Sequence, residues 1–331
     1  MKSELKSKVD NMLDVFIKIS KDYKWENNLS QHFAALTYIL KNKEFEKEKI
    51  DDMKKVIKEN TGVFSSYRGN TMFILSMLLC SEYDNPNEKF IKMMDYDKKL
   101  KAEGFKNNTY LPIANYALLL TCEEDLIDSR IKKAYEIYCE MKKNHPWLTS
   151  GDDYPLCVLL ANSDKPIDTN IKNIEDCYKL LNEEGFSKGN GLQFLSHILS
   201  IGDEYNSEKV QRCKKIFDSL KENKLRIYSS YYAALGLITL ISKDNNEVIQ
   251  DLIDVAEYLN GLKKYKWLGK GMNVLIASAI VSTEYIEDKT NQKDLIATTL
   301  GITVEALIAA QTAAMVATAA ASTAAVSSAT T

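Results

Sequence analysis

The chain has 331 residues, 45% apolar and 27% charged, the balance of a folded protein with a large core. Thirteen Gly and five Pro are too few for the tight turns of a sandwich or barrel, and they point to helices. A net charge of −3 leaves no electrostatic footprint for non-specific nucleic-acid binding, so no nucleic-acid partner is expected.

At the N-terminus charges continue through Asp14. No apolar stretch of a secretory signal forms, and export by that route is not expected. Cys80, Cys122, Cys139, Cys157, Cys177 and Cys213 sit among apolar neighbours with no Cys-x-x-Cys pair. That pattern reads as free thiols in a reducing compartment, and the expectation is a cytoplasmic protein.

From there the chain alternates charged and apolar segments. Residues 9–20 pair with 33–40, 47–60 with 72–80, 89–103 with 111–120 and 129–144 with 154–161. The pairs 170–184 with 192–200, 207–222 with 232–241 and 246–259 with 274–281 complete the series. In the charged members apolar residues fall three or four apart, as at Val210, Cys213, Ile216, Phe217 and Leu220. This is the stripe of an amphipathic surface helix, whereas the partner segment is apolar nearly all round and therefore buried on most faces. Between the two stands a bulky anchor: Trp25, Phe64, Phe105, Trp147, Phe186, Leu225 and Trp267, at steps of 39, 41, 42, 39, 39 and 42 residues.

The expectation is all-α: about seven helical hairpins of some forty residues over 1–290, each a charged helix A, a loop and an apolar helix B. Two helices cannot bury their own apolar faces, but stacked neighbours can. The stack is either an α-solenoid of HEAT or armadillo type or a closed α/α toroid with the B helices inside. The anchors are expected to plug the seams between hairpins.

Residues 306–326 hold eleven alanines, and no charge follows Glu305. The high helix propensity of Ala predicts an Ala/Thr-rich helix within 291–331 that caps the array and frays at its end. Recurrent hydroxyls argue against a membrane span there, and membrane association is not expected.

No residue pattern assigns a reaction. His32, His145 and His197 lie in different hairpins without metal-ligand spacing, so no metal and no cofactor is expected. Asp152 and Asp153, in Ser-Gly-Asp-Asp-Tyr-Pro, suit a helix N-cap better than an acid–base pair. The glycine pairs Gly189/Gly191 and Gly269/Gly271 lack the spacing of a phosphate loop and read as loop geometry.

One spatial inference is sharper. If the hairpins stack in register, all seven A–B loops share one edge. That edge would carry Tyr67, Arg68, Asn70, Asp152 and Asp153 from the first half of the chain, and Asn190, Tyr228, Tyr231 and Lys270 from the second. His197 lies in the helix behind it. Asn and Tyr suit adaptable polar contacts, which makes these ten residues the candidate binding surface.

Residues 186–199 read Phe-Ser-Lys-Gly-Asn-Gly-Leu-Gln-Phe-Leu-Ser-His-Ile-Leu, and 64–78 repeat this loosely. With Ala309-Ala310-Gln311, and in a chain rich in Lys, Asn and Ile, the pattern resembles an uncharacterised all-helical domain-of-unknown-function family of Firmicutes, over nearly the whole chain. The resemblance implies a bacterial helical protein and carries over no catalytic residue. Two functions fit: a helical-repeat scaffold that binds a protein or peptide, or a toroid enzyme or small-molecule receptor with its site at the loop edge.

Overall fold

The computed structural model describes residues 1–242 and 246–290. The described residues are all-α, with no strand. The expected capping helix within 291–331 lies outside them.

The helices come in seven pairs. They are α1 (Ser3–Asp22) with α2 (Asn28–Leu40), α3 (Lys47–Asn60) with α4 (Asn70–Glu82), and α5 (Pro86–Glu103) with α6 (Leu111–Thr121). There follow α7 (Ile127–Asn144) with α8 (Tyr154–Ala161), α9 (Ile167–Glu183) with α10 (Asn190–Ile201), and α11 (Asn206–Glu222) with α12 (Tyr232–Ile241). In the last pair the single-turn α14 (Lys263–Lys266) sits between α13 (Asn246–Gly261) and α15 (Lys270–Thr290).

The odd-numbered helices α1 to α13 are the charged members, and each buries one stripe. In α1 the stripe is Leu5, Val9, Met12, Phe16 and Ile19, residues that helical geometry places on one face. The apolar members are enclosed, and α12 buries all ten of its residues. Several helices start where a side chain meets the free amides of the first turn or Pro removes one of them. Asn27 accepts from Leu29 N and Ser30 N ahead of α2, Asn108 accepts from Tyr110 N and Leu111 N ahead of α6, and Pro stands in the first turn of α5, α6 and α8. These are the preferred N-terminal solutions.

Long cations close several apolar helices at the other end. Arg130 Nη1 donates to Ala161 O at 2.6 Å, Arg212 Nε to Thr239 O at 2.9 Å, and the buried Lys209 Nζ to Leu199 O and Gly202 O, both at 2.7 Å. Each positive charge meets carbonyls at a helix C-terminus, where the dipole is negative. Burial lowers the Lys209 pKa.

Each charged helix packs on the apolar helix of its own pair and, from α3 to α13, on the next charged helix; apolar helices pack on the next apolar helix. The first and last pairs also touch. Helix α1 lies against α13 and α15, and α2 lies against α15. Lys8 pairs with Glu284 at 2.7 Å, and Asp10 accepts from Tyr258 OH at 2.5 Å. One buried apolar cluster runs from Leu5 to Ile286, with a second between the second and third pairs.

The anchor expectation needs correction at four of seven positions. Phe105, Phe186 and Leu225 are buried, but Trp25, Phe64 and Trp147 are 90%, 99% and 95% exposed, and Trp267 is 60% exposed. The three buried anchors each follow a residue with positive φ: Gly104 (129°), Gly185 (92°) and Lys224 (59°). Their amides reach back to Leu100 O, Leu181 O and Leu220 O at 3.1, 3.1 and 2.8 Å. This reversal ends the helix and turns the next side chain inward. The other four loops lack it before the anchor and bury a different residue: Tyr23, Tyr67, Thr149 or Tyr265.

Candidate functional site

The loops that join each charged helix to its apolar partner touch one another in succession. Ser66 Oγ in the second donates to Asn107 Oδ1 in the third at 2.9 Å, and Lys106 N donates to Tyr154 OH past the fourth at 3.2 Å. Gln193 Nε2, after the fifth, donates to Thr149 Oγ1 in the fourth at 2.9 Å. Lys270 Nζ, after the seventh, donates to Lys224 O in the sixth at 2.8 Å. The Trp267 ring of the seventh lies 5.8 Å from His32 of the first pair, and Glu26 of the first loop pairs with Lys54 of the second hairpin at 2.5 Å.

The two glycine pairs serve this packing. Gly189 and Gly269 hold φ of 137° and 86° just ahead of α10 and α15, where glycine has no steric penalty. Their partners are needed for close approach. A Cβ on Gly191 would meet Ser229 O at 2.3 Å, and one on Gly271 would meet the Tyr231 ring at 2.4 Å.

Most of the ten candidate residues are committed to structure. Tyr67 is buried, donating to Asp97 Oδ1 at 3.1 Å and accepting from Asn115 Nδ2 at 2.8 Å. Arg68 caps α3, with Nη2 donating to Lys58 O and Thr61 O at 2.6 Å and Nε to Thr61 Oγ1 at 3.0 Å. Asn70 is the half-buried first residue of α4. Asp152 accepts from Ser150 Oγ, and the buried Asp153 accepts from Ser150 N at 2.9 Å as the acidic end of a capping box on the single turn Gly151–Asp153; contrary to the sequence expectation, neither side chain caps α8 itself. Tyr231 is half-buried over Gly271. Asn190, Tyr228 and Lys270 are exposed.

His197 is fully buried, and neither ring nitrogen has a hydrogen-bond partner. Its Nδ1 stands 3.8 Å from Asp153 Oδ1, beyond hydrogen-bond range. Burial, with a small contribution from His145, pushes the ring down to about 3, while burial and the neighbouring Asp152 charge push Asp153 up to about 8. Burial thus favours the neutral form of both groups. Among the described residues no three His, Cys, Asp or Glu side chains converge as a metal site.

The candidate set contains Tyr228 but misses the other exposed aromatics of these loops. Trp25, Phe64, Trp147, Tyr228 and Trp267 are the exposed aromatic residues of these loops, with Val63 exposed beside Phe64. Beside them a cleft of about 440 Å³ opens where the second loop meets α5, lined by Thr61, Tyr67, Met94 and Asp97 among others. A partial signal is the residue before each anchor: Lys24, Val63, Pro146 or Lys266 at the exposed ones and glycine at Phe105 and Phe186, while Leu225 is buried behind Lys224 and escapes the rule.

Comparison with known proteins gives a family without an activity. The model for a protein family of unknown function, DUF4003, matches residues 15–313. A relative from Bacillus subtilis (strain 168), the uncharacterized protein YeaA, is 28% identical over 321 residues, covering 95% of each chain. No solved structure matches.

Proposed function

The chain belongs to the DUF4003 family of unknown function, and from that premise we propose that its seven hairpins close into one α/α toroid over 1–290 whose A–B loop rim is a docking face. Support for closure comes from α1 and α2 lying on α13 and α15, with Phe16 stacked on His32 at 3.8 Å and His32 in turn 4.7 Å from Tyr265. Each apolar helix packs on the next apolar helix and on its own partner, an arrangement that suits an inner ring.

One observation carries the docking reading. All three tryptophans of the chain stand exposed in A–B loops, beside the exposed Phe64 and Tyr228. Burying a side chain the size of Phe stabilises by roughly 1.5–3 kcal/mol. A fold able to turn Phe105 and Phe186 inward leaves these others in water, as a surface does when a partner covers it. The rim is therefore read as a binding surface.

Photo-cross-linking from inside the native host tests this. A benzoylphenylalanine at Trp25, Phe64 or Trp147 forms adducts with a partner. The same group at Tyr205, equally a loop residue and 78% exposed but between α10 and α11, forms none. Adducts of equal yield at both sets, or at neither, would remove the docking face.

A further inference from the structure

We propose that the partner of this rim is an anionic lipid bilayer, on which the protein sits as a peripheral disc; this rests on the docking reading above. The argument begins with charge. The seven A–B loops, residues 23–27, 61–69, 104–110, 145–153, 184–189, 223–231 and 262–269, hold nine Lys or Arg and four Asp or Glu. The described residues of the loops that return from apolar to charged helices hold three Lys and nine Asp or Glu. A chain of net charge −3 has thus separated its loop charges, basic on the aromatic side and acidic on the other. Such a separation orients a molecule toward a negative surface.

Pairing sharpens the contrast. On the acidic side Lys43 pairs with Asp84, Lys92 with Glu124, Lys165 with Asp203 and Arg212 with Glu204. On the aromatic side Lys106, Lys188, Arg226, Lys263, Lys264 and Lys266 are exposed and form no ion pair among the described residues. Cations left free beside a carboxylate-poor surface are available to lipid phosphates, each raising affinity by about fivefold.

The aromatics supply the other half. Three Trp, one Phe and one Tyr occupy five different loop tips, interleaved with those cations. Trp and Tyr settle at the headgroup level, and Phe reaches the acyl boundary. Contacts scattered over five tips do not line one groove for a peptide, whereas a bilayer accepts them without shape complementarity. No helix of the described residues is long and apolar enough to cross a membrane; the loop tips are the part of these residues that meets the bilayer.

Full-length protein is mixed with sucrose-loaded vesicles of equal parts phosphatidylglycerol and phosphatidylcholine, or of phosphatidylcholine alone, and sedimented. Because all three tryptophans lie on the rim, their emission reports the same event. We expect a blue shift and sedimentation with the anionic vesicles only, both weakened by added salt. Combining Trp25→Ala, Phe64→Ala, Trp147→Ala and Trp267→Ala cuts sedimentation roughly tenfold or more. Combining Lys263→Glu, Lys264→Glu and Lys266→Glu does the same. Tyr205→Ala does not, and circular dichroism confirms that each variant is folded. Absence of binding to anionic vesicles, or binding that survives loss of the aromatics, overturns the bilayer. If the rim cross-links then form with a polypeptide, the docking face stands with a different occupant; if they also fail, both readings fall.

Discussion

His32 and His197 are the two fully buried histidines, and neither has a hydrogen-bond partner. Desolvation holds both rings down to about 3, helped at His32 by Lys264 and at His197 by His145. In the unfolded chain each titrates near its ordinary value of about 6.5. Between those values the unfolded state binds more protons, so stability rises with pH and is lost as pH falls through the window. Asp153, pushed up to about 8, works in the opposite direction. Its neutral form stabilises fully below the ordinary carboxylate value and loses that contribution as pH climbs toward 8. His32→Phe keeps a ring against Phe16 and Tyr265 and removes the titration. We expect it to flatten the acid limb of urea-unfolding stability by about 3 kcal/mol between about pH 7 and pH 4. An acid limb identical to the parent's would show that His32 is not sealed. At this scale the sequence was least legible. It placed His197 in an apolar helix and Asp153 at a helix start, where the carboxylate closes a capping box one turn ahead of α8 and does not cap α8 itself, but Tyr67 and Arg68 are claimed by partners about ten to fifty residues away along the chain, such as Lys58 and Asn115, and local spacing does not contain those.

The hairpin is the element that the sequence shows best, because its two periodicities are local. Charged and apolar segments were separable by the width of the apolar stripe alone, and all seven pairs form. What the forty-residue period does not contain is phase, meaning which loop residue turns inward. That is decided by the backbone just before the anchor. Gly104 and Gly185 make the reversal without steric cost, and Phe105 and Phe186 follow them into the core. Pro146 fixes the chain ahead of Trp147 in another course, and the indole points to solvent. The difference has an energetic consequence. Phe186→Ala removes a ring packed on Phe217 and Tyr232 at 5.0 and 5.3 Å and should cost about 3–5 kcal/mol in chemical unfolding. Trp147→Ala should cost less than about 1 kcal/mol, although both residues occupy the same place in the repeat. Equal costs would mean that Trp147 is covered in solution, by another copy or by another part of the chain.

At the scale of the whole molecule, the contacts that matter join residues more than two hundred positions apart. Lys8 meets Glu284, Asp10 meets Tyr258, and Phe16 lies 6.1 Å from Tyr265. A repeat pattern is the same for an open stack and for a toroid, so the sequence left the two open, and only these meetings favour closure. Closure also bears on the rim. An open stack would splay its A–B loops along a curve, whereas a closed one holds five aromatic tips and the free cations at a single end, where one surface can engage them together. A compact chain of this length has a radius of gyration of about 20 Å, and small-angle scattering from the monomer should give a value near it. Combining Phe16→Ala with Lys8→Glu empties the stack over His32 and places like charges against Glu284. If the toroid is closed, this variant should open at the seam, raise the radius of gyration and weaken vesicle binding in step, while the seven hairpins keep their helical signal. If the radius is already large in the parent, or if the seam variant scatters as the parent does, the first and last hairpins are not held together in solution and the rim is an open edge.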